Sequence, residues 1–407
     1  IFVELYSYLA FLLIILTHGM ETAFFRFRRV DTDQPLRRDE SVVFSTSLFS
    51  VASLSALFML SVLVFRQPLA EMLHYGQHSR YILWLGIVVS LDAINAVPFA
   101  RLRAQNRAFL FALIKLAGIT VNILVVLFFL LLCPFLINSG PEFIKPFISV
   151  VYNPETGIGY VFLANLAATV FTSLLLLPLT LRGGFSFDRL LWGRMIVYAL
   201  PLLVVGLAGV VNEALDKLLL RHMLPAETAM EQVGIYGACY KLSVLMTIFI
   251  QAFRFAAEPF FFSHSSASDA RQTYAMIMKY FVAACLMIFL GIMLFIDIAQ
   301  LLIGPEYREG ITVVPILLMA NMMLGIYLNL SIWYKLTGQT RYGALIGVAG
   351  ALITIVLNVL LIPRMGYMGS AWTTLACYVF MTLMSYFLGQ RHYPVPYESR
   401  RILTMIL

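Results

Sequence analysis

Charged residues are scarce in this sequence of 407 residues. They make up only 12% of it, whereas hydrophobic residues make up 61% and the mean hydropathy is +0.88. A soluble domain carries roughly a quarter charged residues. Because so few charges cannot give the chain a water-facing surface, the composition excludes a water-soluble domain and predicts a protein that lies in lipid.

Cysteine is also rare, and its spacing excludes two kinds of site. A disulfide framework or a zinc site needs clustered cysteines, whereas the four here are scattered singly through apolar runs, as Cys133, Cys239, Cys285 and Cys377. We expect them to be buried free thiols. The six histidines show no ligand spacing either, so we predict no metal site and no cofactor.

Motifs for common enzyme classes are missing as well. The sequence contains no GxxxxGK[ST] loop, which argues against an ATPase, and no GxSxG or HExxH motif stands out. The longest segment predicted to lie outside the membrane, about 134–159, leaves little room for a catalytic domain. We therefore expect a protein that is not an enzyme.

Long apolar runs dominate what is present. A helix needs about 20 apolar residues to cross a bilayer, and eleven runs meet this condition: 3–25, 42–65, 81–100, 108–132, 160–181, 195–219, 234–262, 274–296, 311–333, 342–362 and 367–388. A further run begins at 401. We expect a truncated helix there and another helix missing before residue 1. The runs lack the short alternating segments of a membrane β-barrel, so the prediction is an all-α polytopic protein.

The distribution of lysine and arginine predicts the orientation. One set of alternate loops carries 17 of these residues and the opposite set at most 7. Loops rich in lysine and arginine face the cytoplasm. The net charge of +7 is thus a topology signal, and we predict no nucleic-acid partner.

Two short polar stretches indicate an internal repeat. "RLRAQNR" (101–107) and "KLTGQTR" (335–341) each follow a predicted span that runs inward, and their best alignment pairs Gln105 with Gln339. The same shift pairs Asn95 with Asn329, and nearly the same shift pairs "ETAFF" (21–25) with "EPFFF" (258–262). Repeats offset by six helices have parallel topology. We predict an N-terminal bundle over 1–185, a C-terminal bundle over 186–390, a central cavity, and an additional helix beginning in 391–407.

Charged and polar residues within the predicted spans are the candidate functional groups. A charge at mid-bilayer is costly, so it usually faces a cavity or a partner. We predict that the basic members bind an anionic substrate, since guanidinium groups bind phosphate through two hydrogen bonds: Arg26, Arg28, Lys217, Lys241 and Arg254. The acidic and amide members are predicted to line the cavity or couple transport to an ion: Glu21, Asp92, Asn95, Glu213 and Glu258.

Three segments resemble the polysaccharide/oligosaccharide flippases of the multidrug/oligosaccharidyl-lipid/polysaccharide exporter superfamily. They read "GMETAFFRFR" (19–28), "LRAQNRA" (102–108) and "QAFRFAAEPFFF" (251–262). The resemblance implies two parallel-repeat helical bundles around a central cavity. It also implies that the protein moves an undecaprenyl-pyrophosphate-linked oligosaccharide across a bacterial inner membrane by alternating access, for surface polysaccharide biosynthesis.

The same resemblance suggests partners and leaves an alternative. Its implied partners are the lipid-linked oligosaccharide, membrane lipids, H⁺ or Na⁺ as coupling ion, and a glycan polymerase or other biosynthesis protein. The alternative is an ion-coupled multidrug or organic-cation antiporter of the same superfamily. A membrane glycan polymerase is a weaker rival, because it would need a larger outer loop.

Overall fold

The structure is a computed structural model. It describes residues 2–28, 40–72, 79–139, 141, 145, 148, 151–157, 159–182, 184 and 186–406. The chain divides into two compact units, Ile1–Ile196 and Val197–Leu407. Every regular element in the described ranges is helical.

The N-terminal unit is built from the first seven helices and the start of the eighth. They are α1 (Phe2–Thr17), α2 (Met20–Arg28), α3 (Glu40–Met72), α4 (Ser79–Ala104), α5 (Ala108–Leu127), α6 (Cys133–Ser139), α7 (Gly159–Leu181) and α8 (Arg189–Met223). A π-helical turn, Phe128–Leu132, joins α5 to α6. Helix α4 packs between α3 and α7, and α5 packs on α7.

The C-terminal unit contains the rest of α8 and eight further helices. They are α9 (Ala226–His264), α10 (Ala270–Leu294), α11 (Ile296–Ala299), α12 (Val314–Leu330), α13 (Ile332–Leu336), α14 (Thr340–Met365), α15 (Tyr367–His392) and α16 (Ser399–Ile406). A 3₁₀ segment, Pro305–Val313, precedes α12. Helix α12 packs on α9, α10 and α15, and α14 also packs on α15.

Eleven segments among the described residues are long and apolar enough to cross a membrane. This confirms the predicted all-α polytopic fold and the number of spans. Large apolar side chains remain exposed along these helices, for example Leu57, Leu124 and Leu352, as expected where lipid is the solvent. The four cysteines are free and buried, which confirms that prediction.

Helices α1 and α2 belong to one apolar segment that is broken at His18 and Gly19. Both residues have positive φ angles, 34° and 74°. The buried His18 ring contacts the Ser50 hydroxyl on α3 through Nε2 at 2.9 Å and the Leu16 carbonyl oxygen through Nδ1 at 2.8 Å. The bend directs α2 toward the turn that follows α4, where the candidate site begins.

Candidate functional site

The two polar stretches form the same kind of turn, but in a register that differs from the sequence alignment. Helix α4 ends at Ala104 and α5 begins at Ala108, while α13 ends at Leu336 and α14 begins at Thr340. Each turn spans three residues, and equivalent positions in the two turns differ by 232. The alignment by residue identity implied 234, because it paired Gln105 with Gln339.

Backbone geometry confirms the shift of 232. Asn106 and Gly338 are the left-handed residues of the two turns, with φ angles of 57° and 73°. Their amides bond back to the carbonyl oxygens of Arg103, at 3.1 Å, and Lys335, at 3.4 Å, as at many helix C-termini. The next residue has φ and ψ of −88° and 50° in one turn and −92° and 46° in the other. The structure therefore makes Arg103, rather than Arg101, the counterpart of Lys335.

In each unit this equivalent cation pairs with an acid from an earlier helix. Arg103 forms an ion pair with Glu21 of α2, and Lys335 Nζ lies 3.0 Å from Glu258 Oε1 of α9. The Arg103 side chain is only 5% exposed and that of Glu258 only 7%. Both acids were predicted to line the cavity or couple to an ion, and the structure places both in ion pairs at these turns.

The N-terminal turn has a second acid, Glu40, at the start of α3. Its carboxylate lies 2.8 Å from Arg28 Nε and 3.4 Å from Arg101 Nε, and it accepts a hydrogen bond from Gln105 Nε2 at 2.8 Å. Arg28 also donates to the Ala104 carbonyl oxygen. Arg28, predicted as a substrate ligand, is therefore held by protein groups in this structure.

Aromatic rings complete the N-terminal turn. The Arg103 guanidinium lies 5.1 Å from the centroid of the Phe25 ring and 5.9 Å from that of Phe111, and the Arg101 guanidinium lies 4.5 Å from that of Phe44. Such cation–π contacts stabilise guanidinium groups that are removed from water. Phe25 of "ETAFF" thus supports the ion pair beside it.

Asp92 and Asn95 both lie on α4, and each meets neighbouring helices of the N-terminal unit. Asp92 lies beside Thr169 of α7 and interacts electrostatically with Lys115 of α5. Asn95 is buried, and its Nδ2 donates to the Ser173 hydroxyl at 2.8 Å. Both predicted residues are therefore engaged in contacts between helices.

The two predicted substrate ligands on α9 differ from Arg28 in their contacts. Lys241 and Arg254 are exposed, and neither has an ion pair or hydrogen bond within the part of the chain that the structure describes. Arg26 is half-buried and likewise has no such partner there. The side chains of Glu213 and Lys217 lie outside the described residues.

The structure reveals a buried cluster of polar side chains around one acid, Asp216, that the predicted site did not include. The Asp216 carboxylate on α8, 3% exposed, accepts hydrogen bonds from Tyr236 Oη at 3.1 Å, Asn358 Nδ2 at 2.9 Å and Thr374 Oγ1 at 2.5 Å. Ser370 Oγ donates to Asn358 Oδ1 at 3.1 Å. The cluster thus joins α8 to α9, α14 and α15. The signal in the sequence was an acid within the apolar segment of α8.

No group of three or more metal-binding side chains (His, Cys, Asp or Glu) occurs among the described residues. Tyr236, Asn358 and Thr374, which donate to Asp216, offer neutral amide or hydroxyl groups. The chemistry available at this cluster is therefore that of one carboxylate, which can take up a proton or a monovalent cation.

Comparison with solved structures gives matches over nearly the whole chain. The Vibrio cholerae MATE transporter VcmN in its bent form matches with a TM-score of 0.69 at 14% identity, covering 99% of this chain and 87% of that one. A MATE structure in the straight conformation gives 0.72 at 14% identity, covering 100% and 87%. The MATE transporter ClbM in complex with Rb⁺ gives 0.65 at 14% identity, covering 99% and 86%.

No family model matches the chain, and neither does any curated protein. At these identities the likeness shows the fold alone: the protein has the fold of the MATE transporters. The matching structures are of transporters. They do not single out the flippase branch.

Proposed function

We propose that this protein is an ion-coupled antiporter that exports organic compounds, which is the alternative that the sequence left open. A MATE transporter fold along the chain supports this assignment better than it supports a lipid-linked oligosaccharide flippase. The observation that carries the coupling is the buried Asp216 carboxylate and its hydrogen bonds to three other helices.

Asp216 is suited to couple ion binding to helix movement. An ionised carboxylate accepts hydrogen bonds from all its neighbours, whereas a protonated one must itself donate one. Proton uptake therefore weakens the bonds that Tyr236, Asn358 and Thr374 make to α8, and a bound monovalent cation would compete for the same oxygens. A ligand shifts a conformational equilibrium only through a difference in affinity between two states, and this rearrangement provides one.

Asp216→Asn is the direct test in proteoliposomes with an imposed proton or Na⁺ gradient and a fluorescent organic cation as cargo. The amide keeps the size of the side chain but removes the charge, so gradient-driven transport should fall to the rate seen without a gradient. Glu398→Gln, which neutralises an acid outside the spans, is the matched control and should transport normally. Gradient-driven transport by Asp216→Asn at the wild-type rate would contradict the proposal.

A second candidate is the flippase for a lipid-linked oligosaccharide in a bacterial inner membrane. Lys241 and Arg254 favour it, because both are cations in a membrane-spanning helix without an ion-pair partner among the described residues. Such cations suit an anionic group like pyrophosphate. On this reading, the partners would be enzymes of glycan assembly.

Two cargoes distinguish the candidates. Arg254→Glu should abolish transbilayer movement of a fluorescent lipid-pyrophosphate-linked sugar if the protein is a flippase, and should spare or increase export of an organic cation if it is an antiporter. Arg341→Glu, a charge reversal at an exposed position, controls for the change in net charge. Normal movement of the lipid-linked sugar by Arg254→Glu would exclude the flippase role of this residue.

A further inference from the structure

The asparagines paired by the sequence alignment, Asn95 and Asn329, differ in how their amides are satisfied. Asn95 Nδ2 donates to Ser173. Asn329 is equally buried, 5% exposed, yet its Nδ2 has no hydrogen-bond partner within the described part of the chain. A buried donor left unpaired is destabilising, and ordered water often satisfies such groups. The unpaired amide of Asn329 therefore points to a small polar occupant beside it.

Asn329 lines a small cleft inside the C-terminal unit, between α9 and α12. Glu258, Phe261 and Arg254 of α9 are also on its walls, as is Gly325 of α12. A Cβ at Gly325 would lie 3.0 Å from Ile250 of α9, so the glycine allows the two helices to approach closely and keeps the cleft narrow. Because Arg254 is exposed, the cleft reaches the surface of the unit.

Size limits the occupant to a very small molecule. The cavity volume is about 20 Å³, and a single water needs roughly 10–15 Å³ of such volume. A phosphate, a sugar or an organic cation does not fit. The occupant is therefore one water or one monatomic ion.

The polar groups on the walls of the cleft decide between a water and a monatomic ion. Asn329 Nδ2 is a donor and needs an acceptor, while the Glu258 carboxylate, already paired with Lys335, can accept more than one hydrogen bond. A chloride ion could accept from Asn329 but would be repelled by Glu258, and a metal cation could bind Glu258 but would leave Asn329 Nδ2 without an acceptor. Water alone can accept from one and donate to the other.

We propose that the cleft binds one ordered water, which accepts from Asn329 Nδ2, donates to Glu258 and hydrates the Glu258–Lys335 ion pair. Separating a buried ion pair is costly, because each charge is left without its partner away from water. A water bound to Glu258 lowers the cost of that separation. The C-terminal ion pair can then separate and re-form at the turn before α14. Asn95 of the N-terminal unit differs from Asn329, because its amide already donates to Ser173.

Radiolytic hydroxyl labelling in H₂¹⁸O, applied to the purified full chain, tests this site. Synchrotron X-rays oxidise side chains that touch bound water even when they are buried. Phe261, 3% exposed and on the cleft wall, should be labelled, and its ¹⁸O should appear more slowly than at surface residues. Phe162, 1% exposed in the N-terminal unit, should stay unlabelled.

Asn329→Leu removes the donor and fills the cleft, so labelling of Phe261 should fall at least about fivefold. The matched control is Asn321→Leu on the same helix, because Asn321 is also buried with an unpaired Nδ2. That variant should label Phe261 as the wild type does.

Several results would overturn the proposal. One is that Phe261 of the wild-type protein stays as unlabelled as Phe162. This measurement does not depend on the folding of any variant. Another is Phe261 labelling by Asn329→Leu at the wild-type level. A third is labelling that changes when chloride is replaced by gluconate, since it would identify an anion in the cleft.

Discussion

The turn after α4 and the turn after α13 have the same backbone conformation but differ in the number of ion pairs that stabilise them. In the N-terminal unit, Arg103 pairs with Glu21, and Glu40 adds contacts to Arg28 and Arg101. In the C-terminal unit, Lys335 pairs with Glu258, and Glu40 has no counterpart among the described contacts of Lys335. Among the described residues, each unit therefore has one acid–cation pair at this turn, and the N-terminal pair has the contacts of Glu40 beside it.

This difference bears on transport. A network of several ion pairs fixes helix ends more firmly than one pair does. We therefore expect the N-terminal turn to stay closed while the C-terminal turn opens more readily. The expected effects range from large at Lys335 to small at Glu398, and each is measurable through the unfolding of detergent-solubilised protein, because heating exposes the four buried cysteines to a thiol-reactive dye.

Lys335→Ala should have the largest effect. It leaves the buried Glu258 carboxylate without its cation, and breaking a buried ion pair costs about 3–5 kcal/mol. The midpoint of thermal unfolding should fall by several degrees. Arg341→Ala, at an exposed position in the next helix, is the control and should unfold like the wild type. An unchanged midpoint for Lys335→Ala would show that this pair does not stabilise the C-terminal unit.

Glu40→Gln should weaken only the N-terminal turn. The carboxylate is 27% exposed, so solvent screens its ion pairs, and we expect a loss of about 1 kcal/mol. Hydrogen exchange should locate the effect: the Arg107 amide, bonded to the Leu102 carbonyl oxygen at 3.0 Å, should exchange faster. Equal acceleration at 337–339 would mean that the two turns are not independent.

Asn106→Ala should cost about 1–2 kcal/mol, because alanine is strained in the left-handed conformation that asparagine and glycine tolerate. Gly338→Ala should cost a similar amount in the other turn. Asn106→Gly provides the control and should be nearly neutral. If Asn106→Ala unfolds at the wild-type temperature, residue 106 is not in the left-handed conformation. The offset of 232 between equivalent residues of the two turns would then be wrong.

Glu398, before α16, gives the smallest effect and a reference for an exposed ion pair. Hydrogen bonds from Arg401 and Lys279 hold its pKa below the ordinary value of 4.5. A lowered pKa stabilises the fold above the unfolded pKa, and this contribution is lost as pH falls through the folded pKa. A small decrease in unfolding midpoint below about pH 4.5 should therefore shrink in Glu398→Gln. A decrease of the same size in that variant would assign it to other acids.

The sequence predicted the helices well and the site less well. Spans follow from runs of apolar residues, which lipid requires in any fold, so their number was predictable. The register of the repeat was not, because shared residues such as Gln105 and Gln339 suggested 234 while the left-handed positions Asn106 and Gly338 require 232. Identity of side chains is a weaker constraint at a helix end than the backbone conformation.

Contacts between residues far apart in the chain could likewise not be predicted from the sequence. Glu21 and Glu258 were recognised as acids in apolar segments, but only the structure shows that their partners are Arg103 and Lys335. Asp216 is satisfied by residues that lie 20, 142 and 158 positions further along the chain. Helical periodicity reports neighbours on one helix, and it cannot find contacts at such separations.

A double-mutant cycle on Glu21 tests the equivalence of the two turns most directly. Glu21→Gln is combined once with Arg103→Gln and once with Arg101→Gln, and unfolding free energies give the coupling in each pair. The structural register predicts a coupling above about 1 kcal/mol with Arg103 and close to zero with Arg101. Strong coupling of Glu21 to Arg101 and none to Arg103 would contradict it.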